Sequence, residues 1–172
     1  RTGLQFSLAA KQSKVLMITS CAPGDGKSFI SLNLGLVAAA AGGSVLLMDV
    51  DLRRGVLARS FGLDRRAPGI SDLLAGNADF AQIVTKDPAT GLEFIPSGRY
   101  PPNPSELLSS DAFAGLIDNL SNHYDLIILD APPALAVTDP AIIGQTAGIS
   151  LLVVTHMKTK LADIQSAQQI MS

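Results

Sequence analysis

The sequence predicts an α/β fold, a doubly wound, mostly parallel sheet with helices on both faces. Three observations carry that reading. Residues 14–20, 45–50, 125–130 and 149–155 are short runs rich in Val, Ile and Leu, continuous rather than alternating, as in strands buried on both faces. Helix-like stretches lie between them, so strand and helix alternate along the chain. Hydrophobic residues make up 47% of the chain and charged residues only 16%, a balance suited to a sheet covered on both sides.

The elements follow in order. The first strand, 14–20, runs into the glycine-rich turn CAPGDG, and a helix over 27–41 is ended by Gly42 and Gly43. The strand 45–50 leads into residues 55–80, read as short helices and loops. GLEFIPSG, 91–98, is a weaker strand candidate. Asn103, Pro104, Ser105 and Glu106 form a helix start, with a capping Asn, Pro in the first turn and Glu three residues on. That helix is predicted over 103–122. A strand at 125–130, a helix at 140–144, a strand at 149–155 and a helix at 160–171 complete the series. In such folds ligands sit outside the carboxyl ends of the strands.

The bulk numbers set limits. A chain of 172 residues is one domain, or most of one, and long enough to bury a core. It reads as a fragment cut at both ends, because the last helix has no strand after it. A net charge of −2 argues against nucleic acid as the main partner. The single cysteine excludes an internal disulfide framework and fits a reducing compartment. The longest apolar run, 34–43, is ten residues, short of a membrane span. No signal peptide opens the chain, and the expectation is a soluble, cytoplasmic domain.

The chemistry begins at SCAPGDGKS. Strand, glycine-rich turn and helix in that order are the context of a phosphate-binding loop. Gly24 and Gly26 let the backbone wrap closely with its N–H groups inward, and the mouth of the following helix adds orphan donors and a positive dipole end. The predicted nucleotide-binding stretch is Ala22, Pro23, Gly24, Asp25, Gly26, Lys27, Ser28 and Phe29. Lys27 reaches for the β- and γ-phosphates and the Ser28 hydroxyl for magnesium. Cys21 stands where the usual pattern has glycine, and reads as a small residue in a tight turn.

Two strand ends supply carboxylates. SVLLMDVDLRRG places Asp49 and Asp51 at the end of the second strand, on one face by the period of two. YDLIILDAPP places Asp130 at the end of another. All three are expected at the sheet edge that carries the loop, with Ser28, Asp51 and Asp130 as the magnesium set and ATP or ADP as the nucleotide.

Together these motifs resemble the deviant Walker family of P-loop proteins. Within it they are similar to the bacterial tyrosine kinases, the cytoplasmic domains of polysaccharide co-polymerases of the Wzc/Etk type. SCAPGDGKS, VLLMDVDLRRG and DLIILDAPP match that family's Walker A, A′ and B motifs. GRYPPNPSELLSS (98–110) and APPALAVTDPAIIG (131–144) match in family order. The resemblance implies an ATP-dependent protein tyrosine kinase that regulates exopolysaccharide or capsule synthesis and export. Its catalytic residues would be Lys27, Asp49, Asp51 and Asp130. It also implies a tyrosine-rich tail phosphorylated in trans, on its own C-terminus or a neighbouring subunit, and a membrane-embedded co-polymerase region. A homo-oligomeric ring at the cytoplasmic face of the bacterial inner membrane completes the picture, with residues 1–13 as the remnant of an assembly segment.

The sequence departs from that pattern in three places. The only tyrosines are Tyr100 and Tyr124, Val56 stands where some members carry Tyr, and an Arg common after the last strand is replaced near Thr155. Two other readings remain open: a ParA/MinD-type ATPase switch, against which Ala22 stands in place of that group's signature lysine, and a nucleotide-bound scaffold of an export complex. Five of the seven arginines fall between 53 and 66, either a solvated face or an interface for acidic segments. Tyr124 reads as a packed aromatic and Tyr100 as an exposed loop residue. His123 and His156 have no partner at ligand spacing.

Overall fold

The computed structural model describes residues 13–172. Strands β1 (Val15–Ser20), β2 (Val45–Asp49), β3 (Thr85–Lys86), β4 (Glu93–Ile95), β5 (Leu126–Asp130) and β6 (Ile149–Val153) form one six-stranded sheet in the order β3-β4-β2-β5-β1-β6. Every pairing is parallel except β3 with β4. The helices are α1 (Lys27–Ala40), α2 (Ile70–Leu74), α3 (Phe80–Ile83), α4 (Pro104–Leu108), α5 (Asp111–Ser121), α6 (Asp139–Gly144) and α7 (Leu161–Met171), with a 3₁₀ turn over Leu57–Phe61.

Alternation along the buried strands divides the core into two layers. Val15, Met17, Ile127 and Leu129 face a layer closed by Ile70, Phe113, Ile117 and Ile143. Leu16, Ile18, Leu126 and Ile128 face the opposite layer, where Leu32 and Leu36 of α1 pack with Leu57 and Phe94. Phe61 stacks on Phe94 with ring centroids 4.1 Å apart. The doubly wound architecture predicted from the sequence is the one observed.

Several expectations need correction. The predicted helix 103–122 is two helices. Ser110 adopts extended backbone between them and its Oγ accepts from the Phe113 amide at 3.2 Å, because serine competes for backbone bonds and caps a new helix. Strand β6 is half-buried rather than buried on both faces, since it lies at an edge of the sheet. The two-residue β3 and the single-turn α3 are too short to leave a period in the sequence. The expected assembly remnant 1–13 lies, apart from Ser13, outside the described residues. Tyr124 is packed as expected, 7% exposed and donating to Glu93, and its hydroxyl is pushed far up by burial and that bond.

Candidate functional site

Strand order explains why distant motifs meet. β5 lies between β1 and β2, with Asp130 in register with Ile18 on one side and Asp49 on the other. The loop after β1 and the acidic ends of β2 and β5 therefore share one edge. Gly24 and Gly26 have φ of +83° and +89°, a left-handed turn that glycine adopts without strain, and α1 starts at Lys27.

Lys27 Nζ donates to Asp130 Oδ2 at 3.2 Å and stands 3.7 Å from Asp51 Oδ2. Ser28 Oγ donates to the same Asp130 oxygen at 2.7 Å. Lys27, Ser28, Asp51, Gly24, Gly26 and Pro133 line part of one hollow of about 400 Å³, with Phe29 exposed at its rim. Asp51 lies past the end of β2, where the amides of Arg53 and Arg54 donate to its Oδ1 at 3.3 and 2.9 Å. Asp49 folds back on its own loop, accepting from the amides of Asp51 and Leu57 at 3.2 and 3.1 Å.

Burial, and then the charge of Asp130, push Asp49 up to about 7. Burial also raises Asp130, although Lys27, Ser28 and Ser31 oppose the shift. Three carboxylates around one ammonium leave the cluster rich in negative charge and oxygen donors.

The remaining loop residues divide by role. Asp25 is 8% exposed, and its side chain braces the loop rather than facing the hollow. Its Oδ2 accepts from the Ala22 amide at 3.0 Å, and its Oδ1 from the Thr155 hydroxyl at 3.1 Å, with Lys158 Nζ at 3.7 Å. The Ala22 amide is thereby already engaged. Pro23 lines the same hollow as Lys27 and Ser28. The Cys21 thiol is buried and pushed up by burial, then by Asp25 and Asp163.

Sequence reasoning missed two features. Ser31, fully buried, donates to Asp130 Oδ1 at 2.8 Å; it lies one helical turn after Lys27, a spacing that could have revealed it. Asp139 and Arg53 form the second. Arg53 Nε and an NH₂ group donate to the buried Asp139 carboxylate at 2.8 and 3.1 Å, and Ser105 Oγ donates at 2.7 Å. This clamp ties the DLRR turn to the starts of α4 and α6. No local signal pairs residues so far apart in the chain.

The family model described as an AAA domain matches residues 13–170. The kinase domain of the Escherichia coli tyrosine kinase ETK superposes with a TM-score of 0.95 at 37% identity, over 99% of this chain and 67% of that one. The VpsO kinase domain superposes with a TM-score of 0.91 at 35% identity, over 98% of this chain and 84% of that one. The chain belongs to the bacterial tyrosine-kinase family. A curated member, the putative tyrosine-protein kinase EpsB of Ralstonia solanacearum, is 44% identical over 165 residues. The chain spans 22% of that relative's length, so it matches a part of a larger protein. Among the described residues no helix is long and apolar enough to cross a membrane.

Proposed function

We propose that this domain transfers the γ-phosphoryl group of ATP to protein tyrosine. The supporting observation is that Lys27, Ser28 and Asp51 line one hollow at the sheet edge, with buried Asp130 bonded to Lys27 and Ser28 behind it, in a chain whose relatives are named tyrosine kinases. The substrate is a tyrosine-rich tail or a neighbouring subunit in a homo-oligomeric ring. The setting is the cytoplasmic face of the bacterial inner membrane, beside a polysaccharide co-polymerase.

The donor set at the hollow is all oxygen, a hydroxyl and carboxylates, which fits magnesium rather than a softer metal. Ser28, Asp51 and Asp130 would hold it directly or through water. Bound there, magnesium supplies charge neutralisation on the phosphates. The chain's own groups do the rest. The amides of the Gly24–Gly26 turn and the mouth of α1 hold the triphosphate terminus, and Lys27 neutralises charge on the β- and γ-oxygens.

In the reaction the bond from γ-phosphorus to the bridging oxygen breaks and leaves with ADP. A bond to the tyrosine oxygen forms, and the phenol proton passes to Asp49 once its side chain turns from the Asp51 and Leu57 amides that hold it in this structure. An ordinary carboxylate near 4 facing a phenol near 10 is short by about six units, roughly 8 kcal/mol. Burial of Asp49 narrows that gap without closing it. The proton therefore moves late, after the phosphoryl group has loosened, and Asp49 chiefly orients the phenol.

The test supplies γ-labelled ATP and a tyrosine-rich peptide. Phosphotyrosine that disappears in Lys27→Met is expected. Free phosphate alone would overturn the kinase reading in favour of an ATPase switch, and nucleotide-dependent ring formation without either product would favour a scaffold.

A further inference from the structure

Of the arginines between residues 53 and 66, only Arg54 lines the hollow assigned to the triphosphate. Arg53 alone turns inward, onto Asp139. Arg54, Arg59, Arg65 and Arg66 are exposed, and among the described residues none has a carboxylate within 4.0 Å. Residues 1–12 contain no Asp or Glu to supply one. Arg99 joins them from the loop after β4, its side chain 76% exposed and 3.6 Å from Asp72.

These side chains border a connected groove. The phosphate hollow has Arg54 and Val56 on its wall. A second hollow of about 150 Å³ shares Val56 and adds Arg59 and Arg65. A third of about 520 Å³ shares Arg65 with the second and adds Arg66, Arg99 and Tyr100. The shared walls carry the groove from Lys27, over the turn at Gly55 and Val56, to Tyr100. The Tyr100 hydroxyl donates to the Gly55 carbonyl at 3.4 Å and holds the far end of the path against its middle.

A concave face lined with guanidinium groups is not demanded by composition, since the chain carries 15 acidic residues against 13 Lys and Arg. Like charges facing one hollow repel until an anion enters, so the arrangement favours a negatively charged occupant. That occupant is not the nucleotide phosphate, because the third hollow includes no residue of the phosphate loop. Planar guanidinium groups match carboxylates two bonds at a time.

We propose that this groove binds the acidic flank of the peptide whose tyrosine reaches Lys27, so that preferred substrates carry Asp or Glu beside the tyrosine. The assignment of the tyrosine rests on the kinase reading; the anionic groove does not.

The test separates the two. A fluorescent peptide with an acidic flank and Phe in place of Tyr is titrated into the chain with ADP and magnesium, and compared with its Glu→Gln counterpart. Binding at least about ten-fold tighter for the acidic peptide at low salt is expected, with the advantage falling steeply near 0.5 M salt. The double variant Arg65→Gln, Arg66→Gln should lose about five- to ten-fold of that affinity while ADP binding is unchanged, which shows that the fold and phosphate loop are intact. Equal affinity for the two peptides, or an unaffected double variant, overturns the groove. If the acidic peptide binds as expected but its tyrosine version is never phosphorylated, the groove stands and the kinase reading fails.

Discussion

Replacing Arg53 by methionine tests the clamp behind the DLRR turn. Asp139 is fully buried and accepts three hydrogen bonds, two from Arg53 and one from Ser105. The substitution removes both guanidinium bonds and leaves a buried carboxylate with one hydroxyl. Removing one partner of a buried pair costs about 3–5 kcal/mol. Arg53 is itself 37% exposed, so water screens its outer end, and the expected loss falls to about 2–3 kcal/mol. At roughly 2–4 °C per kcal/mol for a chain of this size, Tm should drop by about 5–10 °C.

The pH dependence gives a sharper check. Burial pushes the Asp139 carboxyl up, but the Arg53 and Ser105 hydrogen bonds and the Arg53 charge outweigh it and hold the group below its usual 3.8. A carboxyl lowered in the folded state contributes stability above its unfolded value and loses it as pH falls through the folded value. The gap between wild type and Arg53→Met should therefore be full at pH 7, begin to shrink only below about pH 4 and close as pH falls through the lowered folded value. Urea unfolding followed by circular dichroism at pH 7.5 and at about pH 3 measures it. Adding Asp139→Asn to Arg53→Met should recover part of the loss, because the orphaned charge is gone. A loss under about 1 kcal/mol, or one independent of pH, would mean the pair acts as an ordinary surface contact.

Asp130→Asn should weaken magnesium-dependent ADP binding more than ADP binding in EDTA; equal losses in isothermal titration would make the residue structural. Ser31→Ala removes one buried bond to Asp130 and should cost about 1–2 kcal/mol in chemical denaturation, and a neutral effect would show that Asp130 Oδ1 has another partner. Gly69→Ala would set a Cβ 2.1 Å from the Pro96 carbonyl oxygen and 2.4 Å from the Gly98 amide. Backbone must shift to admit it, so a loss of at least about 1–3 kcal/mol is expected, and an unchanged Tm would refute the close approach. Cys21 should resist alkylation at pH 7.5 in the folded protein and react once unfolded; rapid native labelling would contradict its burial.

What the sequence disclosed depended on how far apart the cooperating residues lie. Lys27 and Ser28 are neighbours, preceded by glycines whose positive φ is needed for the turn, so a short window holds the whole phosphate loop. Asp130 could be placed because a continuous apolar run announces a buried strand and the fold class says where its end points. The period of two worked only up to the strand's last residue. Asp49 ends β2 and folds back on the amides of Asp51 and Leu57, whereas Asp51, already in the loop, faces Lys27. The two carboxylates that alternation put on one face thus have different environments, and burial pushes Asp49 up toward neutrality.

The contacts between Arg53 and Asp139, and between Asp25 and Thr155, join segments 86 and 130 residues apart in the chain. Asp139 alone looks like an ordinary acid in the first turn of a helix, and Asp25 like one more polar residue in a tight turn. Their partners are fixed by which strands lie side by side, a property of the assembled sheet. The charged side chains that brace the site were therefore hidden for the same reason that the apolar strands were visible. Strand burial is written into each segment separately, but an ion pair between loops exists only after the segments have found their order.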